Sequence, residues 1–350
     1  MSTFSKTNFK TLNYNSFRPH YPPSFYQILG NYVEKHDAGS ASSALVAENQ
    51  SPIVERAIDL GCGTGVATYP LLNLARDVIG LDLSPSMIET ANSLIEKRLA
   101  ELGIDANKSS ITFKAGSVED FVNKQGSGIE AESVDLITAA QCIHWFKDYD
   151  TFFESSAKLL KKGGTLAYFY YIDPMIVDFS GPSKLDVGTD LPSDSKKDSA
   201  SRSRLSKNEL LQKAYELYNK YAYDDPKLIG PYWEQPGRSI LKHYCVEVNK
   251  KIPKKLYADV EIETFTASVE TPTANSERDL DLKKLGISLQ DYLNYFSTYS
   301  GFHNYKEKTG DETLLTKDFL NELIEITGWD LEKTKIDLVW NTGYTFLRKK

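Results

Sequence analysis

Ala57-Ile58-Asp59-Leu60-Gly61-Cys62-Gly63-Thr64-Gly65 is the stretch that decides the fold. An apolar strand ends in an acid and runs straight into a glycine-rich turn. A second apolar run, Val78-Ile79-Gly80-Leu81-Asp82-Leu83, follows and also contains an acid at its end. Together they predict the first β-α-β unit of a nucleotide-type site. Glycines let the backbone approach a ligand closely, and the second carboxylate accepts hydrogen bonds from ribose hydroxyls.

Outward from that unit, strand and helix patterns alternate. Strand one is expected over 55–60, a helix over Thr64–Ala75 interrupted by Pro70, and strand two up to Asp82. Ser84-Pro85 supplies an N-cap and a proline at the first helical position. Ile88, Ala91, Ile95 and Leu102 then recur at helical spacing. Further strands are expected at 111–114, 134–139 and 165–172, with a helix over 152–160 stopped by Gly163-Gly164. The alternation predicts an α/β fold, a doubly wound parallel Rossmann-like sheet with right-handed crossovers and helical cap insertions. Upstream, the aromatic and proline-rich arm around Tyr14–Pro23 leads into a helix over 24–34, and 37–51 reads as a flexible connector.

The pattern changes after Asp173-Pro174. Residues 178–207 are dominated by Ser, Asp, Lys, Gly and Pro and are expected to be a disordered insertion. Ser206 with Glu209 is a capping box that opens an amphipathic helix. A strand over 257–269, a helix over 289–299 and a terminal strand over 336–347 complete the chain. The expected organisation is one domain over 1–350, with a core at 53–173, a cap at 174–255, and C-terminal strands with a helical insert at 256–350.

Composition narrows the function classes. The 350 residues suffice for one large domain, and 41% hydrophobic with 25% charged residues is ordinary for a globular chain. A net charge of −7 gives no electrostatic reason to expect nucleic acid or an anionic membrane. Three scattered cysteines make neither a disulfide framework nor a zinc cluster, and the histidines show no ligand spacing, so no metal is expected. The first ten residues carry no apolar signal region and no run approaches a spanning helix, so cytosol is the default expectation and membrane insertion is not expected.

The turn itself constrains the ligand. Its glycines alternate as G-x-G-x-G rather than the G-x-G-x-x-G of dinucleotide dehydrogenases. Asp59, two residues before the first glycine, would repel a pyrophosphate and suits a cationic ligand with an amino group. S-adenosylmethionine (SAM) carries a sulfonium and an α-ammonium, and is the expected cofactor. The alternative is a tight βα turn that holds no ligand.

The core from about Ile53 to Tyr171 resembles a class I SAM-dependent methyltransferase of the small-molecule type. The resemblance rests on DLGCGTG, GLDLSPSMI, AGSVEDF, VDLITAAQCIHWF and LLKKGGTLAY. Outside the core, YNSFRPHYPPSFY, GPYWEQPGR and VWNTGY resemble the fungal trans-aconitate methyltransferase group, which esterifies a carboxylate of small polycarboxylic acids. The resemblance implies that Gly61, Gly63 and Gly65 face the methionine and ribose parts of SAM, with Asp59 near the ammonium. Asp82 would hold the ribose, Met87 would pack on the adenine, and Ser117 and Val118 would close over its edge. Many relatives carry Asp where this chain has Ser117. Gln141, at the end of strand four, is also placed among the cofactor contacts.

Gln141-Cys142-Ile143-His144-Trp145 replaces the Asn/Asp-Pro-Pro-aromatic motif common in enzymes that methylate base nitrogens. His144 and Trp145 are therefore expected at the mouth of the site, as the catalytic pair, although a histidine after a buried strand is also an ordinary packing residue. A carboxylate acceptor is already ionised and needs no general base. Its recognition calls for arginine, and Arg18 and Arg238 fall in the outer motifs. Tyr21 and Trp233 are the other expected acceptor contacts. Three further readings stay open: a lipid or natural-product methyltransferase, a SAM-binding regulator without turnover, and a dehydrogenase. The first would use a pocket lined by Tyr168, Tyr170, Tyr171, Tyr218, Tyr221, Tyr223 and Tyr232, although packing accounts for these residues equally well. Oligomeric state is not legible.

Overall fold

The structure, a computed structural model, describes residues 16–35, 52–105, 109–116, 129–185, 187–188, 205–271, 273 and 276–350. The ten strands among the described residues, in chain order, are β1 (Val54–Leu60), β2 (Ala75–Asp82), β3 (Ser110–Ala115), β4 (Val134–Ala140) and β5 (Leu160–Ser180), then β6 (Val187–Gly188), β7 (Leu205–Ser206), β8 (Tyr257–Phe265), β9 (Lys283–Ser288) and β10 (Lys335–Lys349). Eight of them form one sheet in the order β3-β2-β1-β4-β5-β10-β8, with β9 also paired to β10. The first five are parallel, and β10 inserts antiparallel between β5 and β8. The order reverses at β1, so the carboxyl ends of β1 and β4 diverge and leave the crevice in which α/β sheets bind ligands.

Alternation within β5 shows why the sheet needs cover on both faces. Ala167, Phe169 and Tyr171 join the cluster that contains Phe25 and Leu29 of the helix Pro23–Glu34. Leu166, Tyr168, Tyr170 and Ile172 join the opposite cluster, with Phe152 and Phe153 of the helix Tyr149–Leu159. A strand buried on both faces reads as a continuous apolar run, as this one does.

Several boundaries differ from expectation for identifiable reasons. The Thr64–Ala75 segment is a turn followed by a short 3₁₀ helix, Tyr69–Asn73, because Pro70 removes a backbone donor and Ala75 is already paired in β2. The helix after Ser84 breaks into Pro85–Ser93 and Ile95–Leu102. Gly163-Gly164 does not stop a helix. It lies in an irregular stretch of β5, where Leu160 pairs with Val134 but Thr165 pairs with Leu136. β5 also runs past Asp173-Pro174, held to Ser180 by the long antiparallel β10. Pro174 is tolerated there because it sits opposite Trp340, next to a register shift.

The expected disorder over 178–207 fails at its ends. Residues 178–180 finish β5, the Thr334 hydroxyl donates to the Pro182 carbonyl at 2.9 Å, and β6 pairs in parallel with β7. Residues 186 and 189–204 lie outside the described residues, as does the 37–51 connector. Downstream, the capping box at Ser206 and Glu209 opens the helix Lys207–Asn219. β9 and the helices Gly237–Lys242, Ser300–Thr309 and Leu320–Thr327 were not anticipated, being short or lacking a clean apolar period. Among the described residues no helix is long and apolar enough to cross a membrane.

Candidate active site

The glycine turn leaves β1 with three positive-φ residues, Gly61, Gly63 and Gly65, at +64°, +54° and +84°. Each serves a different purpose. A Cβ on Gly61 would lie 2.7 Å from the Cys142 side chain, so this glycine lets the turn close on the end of β4. A Cβ on Gly65 would lie 2.6 Å from the Tyr69 ring, so the third glycine serves packing and does not line the cavity. Gly63 faces open space. Its N–H donates to Asp82 Oδ2 at 2.9 Å, and Ser84 N donates to Oδ1 at 2.8 Å. Burial pushes the Asp82 carboxyl up while these two donors pull it down.

Above this turn lies a cavity of about 520 Å³, bounded by Gly61, Gly63, Asp82, Leu83, Met87, Gln141 and Trp145 among others. Leu83 is 70% exposed, an apolar side chain standing at the mouth, and Met87 is buried in the wall. The donor set fits SAM. A carboxylate fixed by two backbone N–H groups still has lone pairs for hydroxyl donors, and an unobstructed glycine and apolar walls lie beside it.

Asp59 is placed differently from expectation. It is fully buried and absent from the cavity wall. Its two oxygens accept from the Thr68 and Thr138 hydroxyls, each at 2.6 Å. Burial pushes its pKa up to about 6 against the pull of those hydrogen bonds. It braces the turn from below. Gln141 lines the cavity, but its side-chain amide is engaged with the backbone of β5. Nε2 donates to Tyr171 O at 2.9 Å, and Oε1 accepts from Tyr171 N at 2.8 Å. Ser117 and Val118 lie outside the described residues.

A smaller chamber of about 40 Å³ adjoins the cavity. Arg18, Gln141 and Trp145 border both, and His144, Trp233, Arg238 and Tyr299 complete much of its wall. Tertiary structure thus brings the N-terminal arm, the end of β4 and the 230–300 region to one point. Arg18 and Arg238 are each 8% exposed. Arg18 donates to the Tyr171 hydroxyl at 3.2 Å and to the Thr298 carbonyl at 2.9 Å, and its guanidinium lies over the Tyr295 and Tyr299 rings. Arg238 Nη2 donates to Asp173 Oδ1 at 2.5 Å, and the guanidinium stacks 4.3 Å from the Trp233 ring. Arg238 Nε and His144 Nδ1, both buried, have no partner among the described residues.

The expected acceptor contacts divide. Trp233 presents a ring face only, because its indole N–H donates to Ala222 O at 2.7 Å. Tyr21 lines the large cavity and packs edge-on against Phe169. His144 packs on Trp145 with ring centroids 4.7 Å apart. Burial, with Arg238 and Arg18 adding to it, pushes its pKa down to about 3, so the ring is neutral. Of the seven tyrosines considered for an enlarged pocket, only Tyr171 lines either cavity. Tyr168, Tyr170, Tyr218 and Tyr223 instead bond to Asn249, Tyr244 O and Asp173. Asp173 and Tyr299 were missed. Asp173 stood at an apparent boundary, and Tyr299 is distant in sequence.

A sheet of this order, with a glycine turn and an acid at the carboxyl ends of β1 and β2, is the Rossmann-like fold of class I methyltransferases, and the similarities that follow indicate a SAM-dependent methyltransferase. Residues 58–168 match the family described as Methyltransferase domain. A yeast relative, "Probable S-adenosylmethionine-dependent methyltransferase CRG1" of Saccharomyces cerevisiae, is 26% identical over all of this chain and 99% of its own length. The human mitochondrial "Ubiquinone biosynthesis O-methyltransferase" is 30% identical, over 31% of this chain and 27% of its own. A solved structure from Anaeromyxobacter dehalogenans, described as a type II methyltransferase candidate, superposes with a TM-score of 0.55. It has 17% identity and covers 95% of this chain and 98% of that one.

Proposed function

We propose that this methyltransferase esterifies a carboxylate of a small organic acid, with trans-aconitate the first acid to test. One observation carries the reading: two buried guanidinium groups, Arg18 and Arg238, line the chamber that adjoins the cofactor cavity at Trp145. Buried arginines in a concave site favour carboxylate ligands, whose geometry matches their fork of donors.

When bound, SAM supplies a methyl group on a sulfonium, open to displacement by an oxygen nucleophile. Gly63, Asp82 and Met87 would hold it, and the chain's remaining contribution is placement. Arg238, whose buried Nε has no partner among the described residues, and Arg18 orient the acid. Trp145, which borders both cavities, and Tyr171, in the wall of the larger one, keep water off the reacting oxygen. No residue need accept a proton, because a carboxylate is ionised at neutral pH. The neutral His144 ring is a wall and a hydrogen-bonding edge rather than a base.

Methyl transfer from labelled SAM to a panel of mono-, di- and tricarboxylic acids, a phenol and a neutral lipid tests this reading. Ester formation on the acids supports it. Transfer to the phenol or lipid alone overturns it.

A further inference from the structure

Asp173 stands behind the chamber wall, in the middle of β5, with its carboxylate buried. Three donors converge on its Oδ1: Arg238 Nη2 at 2.5 Å, the Tyr218 hydroxyl at 2.6 Å and the Tyr223 hydroxyl at 2.7 Å. Arg238 therefore lines the chamber with a buried guanidinium whose charge an internal carboxylate offsets. In a dry pocket a charge so close to a guanidinium strongly reduces the pull that guanidinium exerts on a second anion.

We propose that Asp173 sets how strongly this site responds to the charge of the acid, by offsetting Arg238 and so weakening the preference for tricarboxylates over acids of lower charge. The proposal rests on the carboxylate reading above. Asp173 touches neither cavity, so it acts through Arg238 as a specificity-determining residue. A merely structural Asp173 would weaken all acids alike. A counter-charge acts in proportion to the charge the acid carries.

Butyrate, succinate and tricarballylate serve as the probes. For each, kcat/KM is measured with labelled SAM, and binding is measured by calorimetry with S-adenosylhomocysteine present. Asp173→Asn keeps an oxygen for the tyrosines and removes the charge. It should raise the preference for tricarballylate over butyrate by roughly tenfold, between the worth of one unit charge in water and its worth in a partly buried site. Arg238→Gln leaves Asp173 uncompensated and should move the preference the opposite way, which keeps the proposal testable if Asp173→Asn does not fold. The double variant should return towards the wild-type order. If the wild type esterifies acids but the order of the three is the same in every folded variant, Asp173 is structural and this inference alone falls. If neither the wild type nor any variant binds or esterifies an acid, the carboxylate reading falls and takes this inference with it.

Discussion

The backbone N–H of Gly63 donates to Asp82 Oδ2 at 2.9 Å, tying the glycine turn after β1 to the end of β2. One carboxylate thus fixes the shape of the turn and faces the cavity that the turn borders. Two strand ends that sequence alone can only place side by side are joined by a charged hydrogen bond.

Asp82→Ala should accordingly lose more than a ligand contact. We expect SAM affinity to fall by roughly 2–4 kcal/mol, from charge-assisted hydrogen bonds lost to the ribose and from a turn no longer held. Calorimetry on the folded variant checks this. Unchanged affinity would remove Asp82 from the site.

Asp59 makes stability depend on pH. Its folded pKa, about 6, lies above the usual carboxylate value near 3.8. The folded protein therefore holds the proton more tightly, and this contribution to stability is lost as pH rises from about 4 to 6. Asp59→Asn removes that titration. The variant's stability relative to wild type should improve by up to about 3 kcal/mol between pH 4 and pH 7. Urea unfolding at both pH values measures it, and an equal difference at both would show that Asp59 is not perturbed.

His144 contributes with the opposite sign. Its folded pKa of about 3 lies below the usual 6.5, so the unfolded chain takes the proton first and stability is lost as pH falls below about 6.5. The two slopes oppose each other over the same window, so each is visible only in its own variant. For catalysis, His144→Gln should lower kcat/KM through lost packing on Trp145 and leave the pH–rate profile between 5 and 8 unchanged in shape. A limb near pH 6.5 that vanishes in the variant would restore His144 as a base.

Gly237 packs against the junction from the other side. A Cβ there would lie 2.8 Å from the Trp145 ring and 3.0 Å from the His144 carbonyl oxygen. Gly237→Ala must move the indole, at a cost of roughly 1–3 kcal/mol for overpacking. We expect kcat/KM for the acceptor to fall while SAM affinity holds. Equal losses in both would mean that the whole cavity, not the chamber, has shifted.

Much of the cofactor half was legible from sequence because it is local. The glycine turn, Asp82, the Ser84-Pro85 cap and the apolar β4 lie within short stretches whose period and turn chemistry fix their conformation. Within that stretch the sequence did not separate residues that face the ligand from residues that support them. Asp59 and Gly65 carry the motif, yet they face Thr68, Thr138 and Tyr69.

The acceptor half was decided by tertiary structure. Arg18, His144, Arg238 and Tyr299 meet only after the sheet forms and the arm and cap pack across it, and nothing in their local sequence encodes that meeting. The charge of the chamber was equally invisible. Arg238 reads as a free cation until β5 continues through Pro174 and sets Asp173 against it. Local backbone preferences and hydrophobic period were enough to determine an α/β Rossmann-like core and its glycine turn from the sequence. Which side chains face the acceptor, and with what net charge, depended on long-range packing and burial.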